Sequence, residues 1–223
     1  MSRAILGVIA GLLALVAAGA WSIAGRDGSL SPRARKSELA LLTSLPLVFG
    51  ESFGLEGGGS AALARLERRY KVMPIGVADA TSLKGRKLLL MAHPRAQPAE
   101  ALVELDRWVR DGGRLLLLAD PRLDWPSERP LGDMLRPPPA FADTGLLAHW
   151  GLRLIGPEPG GSTAGQLVSN GSCETAEDGA IARCRPGKGR ATIIADADFL
   201  NVEPGDEDNL DPLMAELDRL ENH

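Results

Sequence analysis

Aromatic side chains are scarce: four Trp, four Phe and one Tyr make up 4% of the 223 residues. That leaves little for stacking on bases. A basic surplus is also missing, since 25 Lys and Arg face 29 Asp and Glu for a net charge of -4. Nucleic-acid binders draw affinity from phosphate contacts and released counterions, so that class is set aside. Two cysteines and three histidines, one of them the terminal His223, are too few and too scattered for a Cys/His zinc site. Disorder is excluded by a content of 44% hydrophobic and 24% charged residues, the mix of a globular chain.

One long apolar run is present. Ala4 to Gly25 (AILGVIAGLLALVAAGAWSIAG) carries no charge, and as a helix it spans ~33 Å, enough for a hydrocarbon core of ~30 Å. Trp21 lies near its outer end, where an amphipathic ring favours the headgroup region. A cleaved secretory signal with Arg3 as its basic region and Ala18-Gly19-Ala20 as the cleavage site competes with an uncleaved anchor. The apolar run continues past that site to Ile23 and Ala24, which favours the anchor over residues 1–25. A polar tether, 26–37 (RDGSLSPRARKS), follows.

Two signals disagree on orientation. Arg26, Arg33, Arg35 and Lys36 after the span would keep the main domain in the cytoplasm. Cys173 and Cys184 lie in SNGSCETAEDGAIARC, where turn-forming residues separate two short strands, so a hairpin can place them opposite each other. Disulfides persist outside the cytoplasm and are rare within it. Two unpaired thiols are the alternative. The expectation is a periplasmic domain on a single inner-membrane span.

From residue 38 onward, apolar runs alternate with amphipathic segments. Strands are expected at Glu38–Leu45, Lys71–Ile75, Lys87–Ala92, Arg114–Ala119 and Arg190–Ala195, and helices at Ser60–Tyr70 with Ser60 as N-cap, from Pro98 to the Gly112-Gly113 pair, and at Thr144–Trp150. A last helix opens at Asp211-Pro212 as N-cap and N1, burying Leu213, Leu217 and Leu220. Asp120 to Ala142 is dense in proline and reads as an ordered flap, with Trp125 either an exposed anchor for a partner or, the favoured reading, a plug beneath the flap. This alternation predicts an α/β domain over 38–223, with a mainly parallel sheet and helices on both faces. In such sheets ligands sit beyond the strand carboxyl ends, which nominates Thr43, Ser44, His93, Asp120, Asp196 and Asp198 as a ligand crevice.

The run AEALVELDRWVRDGGRLLLLADP (Ala99–Pro121), with ERRYKVMPI (67–75) and GKGRATIIADADFLN (187–201), resembles the GldG-like family. Its members are auxiliary components of uncharacterised ABC-type transport and gliding-motility systems. The resemblance covers roughly Glu38 to Asn201. It implies a flavodoxin-like, three-layer fold similar to class I glutamine amidotransferases, without their catalytic residues, in a membrane-anchored domain outside the cytoplasm. This chain carries one hydrophobic span, where many relatives carry more.

Catalytic motifs do not assemble in the sequence. The turn after the third strand reads Ala92-His93-Pro94-Arg95 and lacks the nucleophilic cysteine of an amidotransferase. Ser60 and Ser162 each follow a pair of glycines but lack the second glycine, two residues on, of a hydrolase elbow. Gly57-Gly58-Gly59 is separated from the first strand by about a dozen residues, too many for a dinucleotide loop. Gly187-Lys188-Gly189 has no hydroxyl residue after the lysine and reads as a turn. Asp120, Asp196 and Asp198 are either backbone caps or ligands for a hard cation. The expectation is therefore a non-catalytic, membrane-anchored domain without cofactor that binds a partner protein or small ligand. The alternative is a metal-assisted hydrolase using the three aspartates with His93 nearby.

Overall fold

A computed structural model describes residues 36–49, 59–157 and 165–222. The anchor at 1–25 and the tether up to residue 35 lie outside them, as do Gly57, Gly58 and Ser162. Among the described residues no helix is long and apolar enough to cross a membrane.

The elements follow in chain order. Strand β1 is Ser37–Thr43, helix α1 Ala61–Arg69 and β2 Tyr70–Pro74. A single turn, α2, occupies Ala80–Leu83 before β3 at Leu88–Ala92. Helix α3 (Ala99–Arg110) leads to β4 (Arg114–Leu118), and the turn α4 (Leu146–His149) to β5 (Leu152–Ile155) and β6 (Gln166–Ser169). Strands β7 (Glu174–Ala176), β8 (Ile181–Cys184) and β9 (Arg190–Ile194) precede the last helix, α5 (Asp211–Asn222).

Seven strands form one sheet in the order β2-β1-β3-β4-β9-β8-β7. The first five are parallel, and β8 and β7 extend the sheet antiparallel. The chain is thus mixed α/β with a mainly parallel sheet. Strands β5 and β6 make a separate antiparallel pair.

Side-chain alternation along the strands separates two cores. Leu39, Leu41, Leu88, Leu90, Leu116 and Leu118 face α1 and α5, whose Leu63, Leu66, Leu213, Leu217 and Leu220 complete that layer. Ala40, Leu42, Leu89, Met91, Leu115 and Leu117 face α3 and α4, meeting Leu105, Val109, Leu146 and Leu147. Strand β3, and β4 after Arg114, are therefore apolar throughout, because both of their faces are covered.

Local signals act as expected in several places. Ser60 caps α1 by accepting from the Leu63 N–H at 3.1 Å. Gly112 ends α3 at φ 115°, a conformation that costs glycine little. The close of the chain differs from expectation. A 3-10 turn at Glu207–Leu210 runs straight into α5, so Asp211 has helical backbone angles and does not stand outside the helix as a cap. Its carboxylate instead meets Arg65 at 2.9 Å. The helix expected at 144–150 is only the one turn α4.

Cys173 and Cys184 are joined by a disulfide across the β7–β8 hairpin, next to the Glu174–Arg183 pair. The hairpin turns through Glu177 and Asp178, both in the left-handed region at φ 54° and 52°.

Candidate functional site

The parallel sheet brings the carboxyl ends of β1, β3, β4 and β9 to one edge. Its strand order reverses at β1, which has β2 on one side and β3 on the other. The residues after these strands are the six nominated from sequence, and they fall into two groups.

Thr43, Ser44 and His93 stand at the ends of β1 and β3. The Thr43 hydroxyl donates to the Ala92 carbonyl at 2.8 Å and accepts from the Leu45 N–H at 2.9 Å, which turns the chain at Leu45-Pro46. Ser44 donates to the carbonyl of His93, not to its ring. No nucleophile–base pair is made there. His93 is fully buried and adopts φ 44°, a left-handed backbone uncommon for a residue with a Cβ. Its Nε2–H donates to the Pro138 carbonyl at 2.9 Å, and Nδ1 is buried with no hydrogen-bond partner. Burial lowers the imidazole pKa, outweighing the upward pull of the Pro138 bond and of the Asp198 charge. The ring is neutral at physiological pH.

Asp120, Asp196 and Asp198 gather where β4 and β9 end, each offering a carboxylate oxygen within 4.8 Å of the others. Both Asp120 oxygens accept backbone N–H groups, from Arg122 at 2.8 Å and from Ala197 at 3.0 Å. Asp196 accepts from the Asp198 N–H at 2.8 Å, and Asp198 from the Asp124 N–H at 2.8 Å. Strand β9 stops at Ile194, so Asp196 lies in the irregular segment beyond it and Asp198 opens a 3-10 turn, and neither is set by strand alternation. Burial raises the Asp120 carboxyl pKa, and the neighbouring Asp196 charge adds to this. Asp198 is raised mainly by burial as well, with Asp120, Asp196 and Asp124 contributing repulsion.

The proline-rich segment 120–142 covers this edge. Phe141 N–H closes its base on the Asp120 carbonyl at 2.6 Å, and Leu123 N–H reaches the Pro139 carbonyl at 2.9 Å. Arg95 donates to the carbonyls of Met134 and Arg136 at 2.6 and 2.5 Å. Leu123 and Trp125 pack on the core below. The expected flap and plug are therefore present. His93 and Asp120 lie beneath the flap and do not line an open crevice.

An open cavity of about 360 Å³ remains at the carboxyl end of β1. Thr43 and Ser44 line it with Leu41, Ile75, Met134 and Leu135. Phe49, Met134 and Leu135 at its mouth are exposed, apolar as they are. Sequence reasoning placed Thr43 and Ser44 here but missed Phe49, Met134 and Leu135. Their only signal was apolar character within segments otherwise rich in proline and polar residues.

No family model matches the chain, and no curated protein matches it in sequence. Solved structures do resemble it. An exo-β-1,4-mannosidase from Opitutaceae bacterium strain TAV5 aligns at 12% identity over 83% of this chain and 36% of its own, with a TM-score of 0.46. A β-galactosidase from Bacillus circulans sp. alkalophilus aligns at 15% identity, covering 83% and 31%, with a TM-score of 0.45. A cytoplasmic protein from Salmonella typhimurium LT2 aligns at 10% identity, covering 82% and 97%, with a TM-score of 0.43. The chain spans about a third of the length of the two enzymes. Likeness at this level carries no argument about function.

Proposed function

We propose that the chain is a non-catalytic, membrane-anchored α/β domain that binds a partner protein or small ligand, as an accessory of an ABC-type transport or cell-envelope assembly. One observation carries the reading: all six polar side chains nominated at the strand ends are engaged with backbone groups. Thr43 and Ser44 tie β1 to β3. His93, Asp120 and Asp198 fasten the flap, and Asp196 and Asp120 hold the turn after β9. The surface left for recognition is the apolar cavity at β1 with its exposed rim.

The strand order β2-β1-β3-β4-β9 supports a flavodoxin-like, class I glutamine amidotransferase-like three-layer sandwich. In that reading the turn after β3, where an amidotransferase would hold its thiolate, carries a buried neutral histidine. Fold likeness alone does not assign function. The uncharged run at 4–25 supports a single inner-membrane span, and the Cys173–Cys184 bridge supports a periplasmic domain. Crosslinking in the native host, followed by isolation of the chain, should recover an envelope membrane protein such as a transporter permease. Recovery of the free chain alone contradicts the proposal.

A metal-assisted hydrolase is the second reading, favoured by the close approach of three carboxylates. Their oxygen-only donor set suits a hard cation such as Mg²⁺. The fit is partial, because both Asp120 oxygens already serve backbone N–H groups, leaving one uncommitted oxygen each on Asp196 and Asp198. A cation held there would supply Lewis-acid polarisation, with the flap excluding water. Calorimetry with Mg²⁺, Mn²⁺ and Ca²⁺ decides it: saturable heat with a raised melting temperature supports the metal, and no heat removes it.

A further inference from the structure

At the opposite edge of the sheet, where β9 begins and β8 ends, a recess of about 370 Å³ opens beside the last turns of α5. Alternation brings Arg190 and Thr192 of β9 to the face that carries α5, and the register sets Arg183 of β8 beside Thr192. Glu174, Arg185 and Arg219 complete the polar lining. Four guanidinium groups thus meet in one recess of a chain whose net charge is -4.

Their partners are unequal to them. Glu216, buried on α5, binds the Arg183 fork, with Nε to Oε2 at 3.1 Å and Nη2 to Oε1, and lies 3.4 Å from Arg219 Nε. One carboxylate is therefore shared by two arginines. Among the described residues the side chains of Arg185 and Arg190 make no hydrogen bond or ion pair, and Glu174 is an exposed acid on the rim. Counting the two acids Glu174 and Glu216, the recess keeps a surplus of two positive charges, which the Glu177 charge acting on Arg183 offsets in part. Like charges held this close repel unless an anion enters between them. The Arg183–Glu216 pair thus shares the recess with Arg185 and Arg190, whose side chains are unpaired, and with Arg219, whose Nε alone meets Glu216.

We propose that this recess binds a phosphate group, with Arg190 and Arg219 as its principal ligands, Arg185 closing over it and the Thr192 hydroxyl as a further donor. Guanidinium forks match tetrahedral oxyanions by paired, charge-assisted hydrogen bonds. The recess has room for more than inorganic phosphate, so a phosphate carried on a small organic moiety also fits. A free phosphomonoester and a lipid headgroup share this chemistry. The site is independent of the cavity at β1 and of the partner-binding role argued from it.

The test is calorimetry on the full chain in neutral detergent at low salt. The probes are inorganic phosphate, glycerol 3-phosphate, dihexanoyl phosphatidic acid and citrate. Saturable binding of a phosphate probe is expected, weakened about tenfold or more by Arg190→Gln and again by Arg219→Gln. Tighter binding of glycerol 3-phosphate assigns a free metabolite, and tighter binding of phosphatidic acid a lipid headgroup. Arg185→Gln, at an exposed position, gives a smaller loss and keeps the test valid should a double variant unfold. No binding of any phosphate probe, binding unchanged in Arg190→Gln, or tighter binding of citrate overturns the proposal.

Discussion

At His93 the backbone enters the left-handed region at φ 44° while the ring is sealed under the flap with one nitrogen unpartnered. Both features cost free energy. Because burial lowers the imidazole pKa, the native state resists a proton that the unfolded chain accepts near pH 6.5. Stability from this group is complete above that pH and is lost as the pH falls towards the lowered native value. Urea titrations should therefore show wild type losing stability between pH 7.5 and 5. His93→Asn, which tolerates the same φ, should remove that slope while costing about 1–3 kcal/mol at neutral pH through the lost Pro138 bond and ring packing. An unchanged slope would mean that other groups set it.

The aspartates give the opposite sign. Raised carboxyl pKa values mean that the native state takes up protons more readily than the unfolded chain. Their penalty is absent below the ordinary carboxylate range and grows as the pH rises through the native values. Asp198→Asn keeps an oxygen for the Asp124 N–H and removes one charge. It should raise the melting temperature at pH 7, with a gain that shrinks in acid. If a divalent cation occupies the cluster instead, wild type in its presence should be the more stable of the two. These residues were found in the sequence from their place after strands. What they bond to was not legible, because it depends on how a 23-residue flap folds back across the sheet edge.

Among the elements, those with a complete local signal were read correctly. Helices α1 and α3 combine a cap or a glycine stop with a clear apolar stripe, and β3 and residues 115–118 of β4 are unbroken apolar runs. The pair β5–β6 was missed because four-residue strands mixing polar and apolar side chains look like loop until their partner is known. Asp211-Pro212 misled for a related reason, since the preceding 3-10 turn already supplies helical geometry. The β7–β8 hairpin is the element most dependent on a covalent tie. With Cys173 and Cys184 at a sequence separation of 11, the closed loop contributes about 3 kcal/mol in the chain-entropy model. Reduction, or replacement of both cysteines by serine, should lower stability by about that amount in denaturant titrations. An unmoved midpoint would show that the hairpin does not need the bridge. Gly189 is a second sensitive point: a Cβ there would meet the Val109 carbonyl oxygen at 1.9 Å, where β9 passes the end of α3. Gly189→Ala should cost more than about 2 kcal/mol by thermal unfolding, because backbone has to move. A neutral effect would contradict that close approach.

For the whole molecule, the mainly parallel sheet with helices on both faces was legible because uninterrupted apolar strands demand cover on two sides. Leu115 and Leu116, neighbours in β4, are both fully buried but in opposite cores. Changing either to alanine should cost about 2–5 kcal/mol, and a much smaller loss at one would mean that its layer is loosely packed. The antiparallel extension by β8 and β7 closes one side of the sheet and carries the arginine recess. The cavity at β1 and its apolar rim lie at the other edge, beyond the carboxyl ends of the parallel strands. The described residues thus present an apolar cavity and a cationic recess at different ends of the sheet, with His93 and Asp120 buried at the strand ends.

Site-specific photo-crosslinking in the native host tests the central claim most directly. A photoreactive residue at Leu135, on the cavity rim, should capture an envelope membrane protein. The same residue at exposed Val103 on α3 should not, and Ser44→Trp, which fills the cavity, should suppress the Leu135 adduct. Equal capture from both positions, or none from Leu135 while the purified chain turns over a substrate in the presence of a divalent cation, would contradict the account.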